Sequence, residues 1–548
     1  MSDTAPGVTG RIAKPGGEEK AKDAHRRRAA AAWELRDRWQ QILLDVYDFV
    51  APTRLSTRYA TRAPGARVNR MFDSTAMVSL FRFAKRVQKD FFSGQWFQLK
   101  PGAAIDNLDQ QAKDEAALDA EKHSKVAGHV FNDPEWSTAL KECLIDTGIS
   151  TGFMMILRGD ARRPCRFVTA SLDECAIDLG PFRDIAGVFF KRKWTYRSIL
   201  EQWPDGDYDS EFRQKAENDG ETEIELKQDC TYDYAEKRWR LCVYVDDMEQ
   251  YIHEEYSRTR PWMTPRLMTL PGQAYGFGIV MLALPTVKTL NKAMELMLRA
   301  AALAMAGIFT RVDDGVFDPD TARVEPAAFW NVARNGGPTG PSIQKLDPPG
   351  DIQLSNLVLQ ELRTQVQTVM EDSQLPPDTN SPRSAIEIAE RIKRVALDQT
   401  GDEVLLAEIG IPAVNRVLEI LHDFDIIPKP VEIDGMFLKM ELSSPAALAA
   451  KASPVSAIAN WLQMIQAVAP PLLHIMTPLD QTLAEIGADI GVPTHLINDT
   501  NKRTQLAAQA AQVVTPALQA QLGGPAGAAP PPPPANGAPG QAGLRAVA

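Results

Sequence analysis

The sequence predicts a mainly α-helical protein with an α+β section, in an elongated subunit. Apolar residues recur at helical spacing in 285–309 and again in 352–370, and the period shortens towards two in 148–270. At about 1.5 Å per residue, each of the two helices is a rod roughly 30–40 Å long. An insert separates the two rods, so we expect their apolar stripes to be buried against neighbouring copies rather than in one globular core.

The two rods are predicted from their apolar positions. The first begins at Pro285 and carries Leu290, Met294, Met297, Leu298 and Ala301. The second carries Leu354, Leu357, Val358, Leu362, Val366 and Val369. The insert between them, rich in Gly, Pro and Asp, is too long for a simple connection inside a compact domain, so we expect it to be functional.

The N-terminal half is predicted to be helical before it becomes sheet. Residues 1–25 are expected to be disordered. Helices are then expected at 27–50, 74–92, 108–130 and 136–146. Strands are expected at 153–157, 165–169, 185–194, 224–234 and 239–245. The last two strands bracket a short turn and predict a hairpin in a mostly antiparallel sheet.

After the second rod, a polar loop leads into a long helix. Ser384 and Glu387 have the spacing of a capping box, which marks the start of this helix. It should run towards residue 424 and be bent or interrupted by Gly401, Gly410 and Pro412. An extended piece at 431–442 and a helical region at 446–522 follow. The Gly/Pro/Ala tail, 523–548, cannot bury enough apolar surface to fold.

The charge balance argues against a surface that grips nucleic acid tightly. The 548 residues include 60 Lys and Arg against 71 Asp and Glu, for a net charge of -11 and a pI of about 5.3. Tight binding to a phosphate backbone needs clustered cations. The composition is compatible with a protein past which nucleic acid slides.

Targeting, metal and disulfide signals are weak in this sequence. The five cysteines contain no C-x-x-C pair, so a reducing cytoplasm is the expected compartment. The N-terminus has no apolar signal segment. The apolar run at 300–309 is too short to span a membrane, and 455–477 contains polar residues and a Pro pair, so no membrane span is expected.

Enzyme motifs are incomplete. The nucleotide-binding pattern G-x-x-x-x-G-K-[ST] is absent, and His253-Glu254-Glu255 lacks the second His of a zinc helix. Gly148-Ile149-Ser150-Thr151-Gly152 matches the pattern of a nucleophile elbow, but a helix precedes Ser150 and a strand follows, the reverse of what the elbow needs. We therefore expect no catalytic residues, no metal and no cofactor. A hydrolase with Ser150 as its nucleophile remains an alternative.

Several motifs, in this order, resemble the portal (head-to-tail connector) proteins of short-tailed, T7-like bacteriophages over nearly the whole chain. The N-terminal motifs are Phe72-Asp73-Ser74-Thr75-Ala76 and Trp96-Phe97-Gln98-Leu99. The central ones are Asp146-Thr147-Gly148, Tyr275-Gly276-Phe277-Gly278 and Leu284-Pro285-Thr286-Val287-Lys288-Thr289-Leu290-Asn291-Lys292. The last is Ser384-Ala385-Ile386-Glu387-Ile388, at the start of the long helix.

The resemblance implies an elongated portal fold that assembles into a ring, commonly of twelve copies, with a central channel. It divides the chain into a wing (26–282), a first stem helix (283–309), a clip (310–350), a second stem helix (351–371), a channel loop (372–383), a long kinked helix and strand (384–445) and a crown (446–522). The alternative to a DNA-conducting portal is a self-assembling helical adaptor or scaffold protein through which no DNA passes.

The resemblance also implies the partners and location of the ring. It would sit at one capsid vertex of the virion, after assembly in the host cytoplasm, in contact with the major capsid protein. The terminase large subunit would dock transiently on the clip, and a tail adaptor or head-completion protein would replace it. Double-stranded DNA would pass through without sequence-specific contacts, and internal core or ejection proteins are further candidate partners. No membrane is implied.

Three sets of candidate residues follow from this division. The channel-loop candidates are Asp372, Asp378, Asn380 and Arg383. The candidates facing the stem lumen or the capsid opening are Lys288, Lys292 and Arg299. The clip-docking candidates are Asp313, Asp314, Asp318 and Asp320. Each set also has an ordinary alternative. Arg383 would simply stand at the start of a helix, and the three stem cations would lie on a solvated helix face. The four aspartates would lie on a solvated face or stabilise turns. We also expect a lumen that is acidic or sparsely basic, so that DNA slides.

Overall fold

A computed structural model describes residues 15–54, 71–104, 110–248, 250–306, 308–311, 343–346, 352–372, 403–428 and 433–443, with residues 458, 461, 463 and 464 besides. The α-helices are α1 (Pro15–Phe49), α2 (Thr75–Phe91), α3 (Gln110–Phe131), α4 (Pro134–Ile149), α5 (Tyr196–Gln202), α6 (Ser210–Asn218), α7 (Ile279–Ala306), α8 (Ile352–Val369) and α9 (Ile411–Asp423). The strands are β1 (Phe97–Pro101), β2 (Met154–Asp160), β3 (Arg163–Thr169), β4 (Cys175–Leu179), β5 (Ile185–Thr195), β6 (Glu223–Asp233), β7 (Arg238–Val245), β8 (His253–Ser257), β9 (Trp262–Met263), β10 (Ile308–Arg311), β11 (Ile343–Leu346) and β12 (Leu438–Leu442).

The largest sheet is antiparallel, in the order β4-β5-β6-β7-β8. Val188, Cys230 and Leu241 lie side by side in its register and are buried in the main core. The β6–β7 turn places Lys237 in the left-handed region, with φ 54°. The predicted antiparallel arrangement and this hairpin are confirmed. A second sheet, β3-β2-β9, and two strand pairs, β1-β12 and β10-β11, complete the strands.

Helix α1 corrects the prediction of a disordered N-terminus over 1–25. It begins at Pro15, and His25, only 8% exposed, lies with Nε2 3.0 Å from an Asp229 carboxylate oxygen on β6. Arg36 donates to Asp173 over 2.6 Å, with both side chains buried. These partners lie more than a hundred residues away along the chain, so the local composition does not reveal that the segment is ordered. Residues 1–14 lie outside the described part.

The main core joins the helices to the sheets through an aromatic cluster. Phe131 and Trp136 rings meet with centroids 4.7 Å apart, as do those of Trp96 and Phe97. Trp96 and Trp136 are almost completely buried, so each contributes on the order of 3–5 kcal/mol to stability relative to alanine. The predicted helices at 74–92 and 108–130 are confirmed as α2 and α3, and the one at 136–146 is extended to α4.

Helix α7 differs at both ends from the predicted rod at 285–309. It begins at Ile279 and contains Pro285, and it ends at Ala306 because the chain enters strand β10 at Ile308. Pro285 is the seventh residue of α7, beyond the first four whose N–H groups have no acceptor within the helix, so it removes one i→i−4 hydrogen bond from the helix. A Cβ on Gly278 would lie 2.2 Å from the Gly148 carbonyl oxygen, so the start of α7 fits against α4 only with glycine there. The second predicted rod is confirmed as α8.

The predicted bend or interruption of the long helix is confirmed, for its described part, as an interruption. A helical turn at Glu403–Leu405 passes through a π-helical turn, Leu406–Gly410, into α9, where Pro412 follows at once. A π-turn near glycine and proline is a recognised cause of a helix kink. Glu408 in this turn accepts a hydrogen bond from the Arg266 guanidinium at 2.8 Å, which holds the turn against the β-containing part.

Several predicted segments lie wholly or largely outside the described residues. These are residues 384–402, most of 446–522 and all of 523–548. The extended piece predicted at 431–442 is a shorter strand, β12. No described helix is long and apolar enough to cross a membrane.

Candidate functional site at the base of the paired helices

The loop before α2 anchors α8 through one carboxylate. Asp73 accepts a hydrogen bond from the Thr75 N–H at 2.9 Å, which caps the start of α2. Its other oxygen accepts from Arg363 Nε on α8 at 2.8 Å, and the carboxylate is only 5% exposed. The Arg363 side chain is 38% exposed, and the charge-assisted bond to the buried carboxylate fixes both position and direction. Asp73 therefore ties the start of α2 to the middle of α8.

The same loop anchors α7 through an amide. The Asn291 side-chain oxygen accepts from the Phe72 N–H at 2.7 Å and from the Asp73 N–H at 3.4 Å. Asn291 is 7% exposed. Both long helices are thus bound to one short stretch of backbone, within two of the motifs on which the family resemblance depends.

The C-terminal end of α8 is held by three residues on one face of α2. Ser79 donates to an Asp372 carboxylate oxygen at 2.7 Å, and Arg82 donates to the same oxygen at 3.1 Å. Arg86 donates to the Glu371 carbonyl at 2.6 Å. Asp372, predicted to lie in a channel loop, is therefore fixed at the end of a helix. We call Asp73, Asn291, Arg363 and Asp372 the stem base.

The electrostatics of the stem base favour an ionised Asp73. Burial by itself would raise the pKa of this carboxyl, but hydrogen bonds from Thr75 and Arg363 outweigh burial and lower the pKa below its usual range. A carboxyl whose folded-state pKa is lowered stabilises the fold above its unfolded-state pKa. That stabilisation is lost as the pH falls through the folded-state value.

We expect the variant Asp73→Asn to lose the pH-dependent part of this stabilisation. The difference in unfolding free energy between the wild type and the variant should be largest near neutral pH and shrink as the pH falls below about 4. Urea unfolding at a fixed protein concentration, at several pH values, measures it. Arg363→Leu removes only one source of the lowered pKa and should keep part of the pH dependence. An equal difference at all pH values would contradict the role of Asp73.

The two long helices bury some of their apolar residues and leave others exposed. Leu290, Leu359, Val366 and Met370 are buried in the main core of the same chain. Leu282, near the start of α7, is 49% exposed. Further along the two helices, the exposed large apolar side chains among those described are Leu296 at 54%, Leu298 at 49%, Leu357 at 66%, Val358 at 48% and Val369 at 38%. We call these five the outer apolar face. The predicted stripes are therefore divided between the chain's own core and solvent.

The three predicted stem cations all have carboxylate partners. Lys288 Nζ lies 2.5 Å from Asp45 on α1, and Lys292 Nζ lies 2.9 Å from Glu295. Arg299 lies 2.5 Å from the other oxygen of Glu295. Lys292 and Arg299 are thus brought together, whereas Lys288 turns towards α1. They form a charge-balanced surface rather than a band of free cations.

The central family motifs meet beneath the stem base. Asp146, fully buried, accepts from Arg54 through both oxygens, at 2.9 and 3.0 Å. Burial raises the pKa of Asp146, and the Arg54 guanidinium opposes this rise. Ser150 is also fully buried, and its hydroxyl donates to the Gly276 carbonyl at 2.8 Å. α4 precedes Ser150 and β2 follows, as predicted, so this hydroxyl supports the helix-to-strand turn rather than facing a substrate.

Other chemical groups give no catalytic arrangement in the described residues. All five cysteines are buried and free, and burial raises the pKa of Cys165 and Cys242 to about 12, so their thiols stay protonated. The described part contains no cluster of His, Cys, Asp or Glu able to hold a metal ion. Asp378, Asn380, Arg383 and the four clip aspartates lie outside it.

Sequence reasoning found only part of this site. Asp73 and Asn291 stood inside family motifs, but Arg363 and the cations of α2 have no local signal. Their role depends on the packing of α2 against α8, about 290 residues away along the chain. Helical spacing also could not separate Leu357, which is exposed, from Val366, which is buried.

The family description "Bacteriophage head to tail connecting protein" matches residues 22–497. The chain therefore belongs to this family, whose members are structural proteins of the phage particle at the junction of head and tail. The narrower likeness to short-tailed, T7-like phages stays a prediction.

A solved structure also resembles the chain. It is the "Neck of empty GTA particle computed with C6 symmetry", with 12% sequence identity and a TM-score of 0.33, over 69% of this chain and 85% of that chain. No curated protein sequence matches the chain.

Proposed function

We propose that this chain is a portal protein that forms a ring, commonly of twelve copies, at one capsid vertex. The ring serves as the channel through which genome DNA is packaged and ejected. Its clip docks the terminase during packaging and a tail adaptor protein afterwards. The observation that carries the proposal is the outer apolar face on two helices whose base is rigidly anchored, in a chain of the head-to-tail connecting family.

The outer apolar face supports assembly through α7 and α8. Five large apolar side chains lie exposed on adjacent helices, and exposed apolar patches of this kind mark protein–protein contacts. A contact between two different surfaces of identical copies forms a ring if the rotation between copies closes, and an open filament if it does not. The stem base supports a contact of the same geometry in every copy, because it binds both helices to the start of α2.

The reach of the helices supports a projecting clip. From Asn291 to Ala306, α7 extends about 22 Å beyond the stem base at 1.5 Å per residue. Strands β10 and β11 then pair antiparallel and enclose residues 312–342, which contain the four clip aspartates. We place the docking surface for the motor, and afterwards for the adaptor, in this segment of the sequence.

The charge distribution supports sliding rather than gripping. Duplex DNA carries one charge per about 1.7 Å, so a stem of about 35 Å faces about twenty phosphates. The chain has a net charge of -11, and the three stem cations already have carboxylate partners. Salt screens the repulsion of like charges beyond about 8 Å. We therefore expect a lumen wall that attracts DNA weakly, so that the duplex slides through it with little friction.

Negative-stain microscopy of the purified full-length chain tests the proposal. Rings with a central hole are the expected result, and mass measurement of the assembled particle gives the number of copies. Amorphous or fibrous assemblies would favour the adaptor or scaffold instead. A compact monomer at high concentration would contradict ring assembly altogether.

A further inference from the structure

Three aromatic side chains form a ladder at one end of the five-stranded sheet. Tyr232 and Trp239 are register partners on β6 and β7, with ring centroids 5.3 Å apart. Tyr234, in the turn that follows β6, meets Tyr232 edge to face with centroids 5.0 Å apart. We call Tyr232, Tyr234 and Trp239 the aromatic ladder. Its rings touch one another in series, which gives a ridged apolar surface.

The ladder continues onto a second turn, and it is most open to solvent at that end, since Tyr232 and Trp239 are half-buried. A Cβ on Gly180, in the β4–β5 turn, would lie 2.4 Å from the Tyr234 hydroxyl, so the two turns are in contact. Phe182, two residues further in that turn, is 87% exposed, and Tyr234 is 46% exposed. Phe182 is the most exposed of the large hydrophobic side chains in the described residues. Neither the stem base nor the outer apolar face uses this surface.

A ridge of tyrosine and tryptophan rings has a well-defined ligand chemistry. Segments in the polyproline II conformation dock on aromatic-lined surfaces, because proline rings pack between the aromatic rings and the segment loses little entropy on binding. Proline has no N–H, so such a segment offers only carbonyl acceptors. Tyrosine hydroxyls and the tryptophan indole N–H can donate to them.

The chain itself contains a segment of this chemistry. Pro530–Pro534 is its longest proline run, and residues 523–544 carry no charged side chain. Between residue 464 and Pro530 lie 65 residues, and an extended chain spans up to about 3.3 Å per residue. The run can therefore reach the sheet of its own copy or of an adjacent one.

We propose that the aromatic ladder, together with Phe182, is a docking site for the proline run Pro530–Pro534 of this chain. The proposal does not depend on ring formation or on DNA passage. The proposal gives a function to the tail, a segment that the fold of the rest of the chain does not require.

The test uses the full-length chain with its own Pro530–Pro534 replaced by serine, so that the ladder is vacant. A fluorescein-labelled peptide of residues 523–540 is titrated with this protein, and anisotropy reports binding. Saturable binding is expected, and Tyr234→Ala should weaken it by about tenfold or more, as for a central aromatic contact. The matched control is Tyr256→Ala. Tyr256 is 43% exposed on β8, where it hydrogen-bonds Glu254, and its loss should leave the affinity unchanged.

A second titration keeps the test valid if the Tyr234 variant folds poorly. The same vacant protein, with its ladder intact, is titrated with a peptide in which Pro531 and Pro533 are serine. Weaker binding of this peptide supports the proposal. It is overturned if neither peptide binds, if both bind equally, or if a folded Tyr234→Ala protein binds as tightly as the parent.

Discussion

Asp146→Ala is expected to lower the free energy of unfolding by about 3–5 kcal/mol, the cost of breaking a buried ion pair. Asp146 is completely buried and accepts both hydrogen bonds from Arg54, whose side chain is 22% exposed. Removing the carboxylate leaves the guanidinium with only the Glu142 carbonyl and carboxylate nearby. The guanidinium then keeps one carboxylate, that of Glu142 at 3.5 Å, so the cost comes from its two lost hydrogen bonds and from the weaker compensation of its charge.

Urea unfolding at one fixed protein concentration measures this effect. The control is Asp160→Ala, because Asp160 is 82% exposed in a hairpin turn and should change stability by no more than about 0.5 kcal/mol. The double variant Arg54→Leu, Asp146→Leu removes both charges and should recover part of the loss. If Asp146→Ala and Asp160→Ala unfold at the same urea concentration, the pair is not a structural anchor.

Leu357→Glu is expected to abolish ring assembly and to leave the fold of the single chain intact. Leu357 is 66% exposed on α8, the highest exposure in the outer apolar face, so the change should cost the isolated subunit no more than about 0.5 kcal/mol. In the proposed ring, the same side chain is buried against a neighbour. An unpaired carboxylate buried there costs several kcal/mol at each contact, and the cost recurs around the ring.

Sedimentation velocity compares the assembled and free populations, and circular dichroism checks the fold. The matched control is Leu270→Glu, a 48% exposed leucine in the connection before α7 and outside the outer apolar face. That variant should assemble like the wild type. If Leu357→Glu forms rings as well as the wild type does, the contact between subunits does not include the outer apolar face.

The sequence predicted those elements whose signal is local. The helical spacing at 352–370 and the turn residues between β6 and β7 belong to segments whose own residues decide their conformation. The bend near Gly410 and Pro412 is of the same kind, because proline removes a backbone donor wherever it stands. Family motifs also marked Asp73 and Asn291, although nothing in their spacing showed that they meet.

The elements that the sequence mispredicted depend on distant partners. Residues 15–25 are too polar to predict order, yet they belong to α1, whose His25 lies against Asp229 of the sheet. Helix α7 begins before Pro285, where Gly278 lets it approach α4. In each case the stabilising contact joins residues more than a hundred positions apart, which no window of local sequence can contain.

By itself, the sequence determined the periodicity of the long helices, the antiparallel hairpin and membership of the connector family. Tertiary packing alone decided which of the described apolar residues of α7 and α8 are buried in the chain and which remain exposed. It also decided that Arg363 on α8 reaches Asp73. A helical repeat specifies the face of a helix on which a residue lies, but the neighbour that covers that face is set by the rest of the fold.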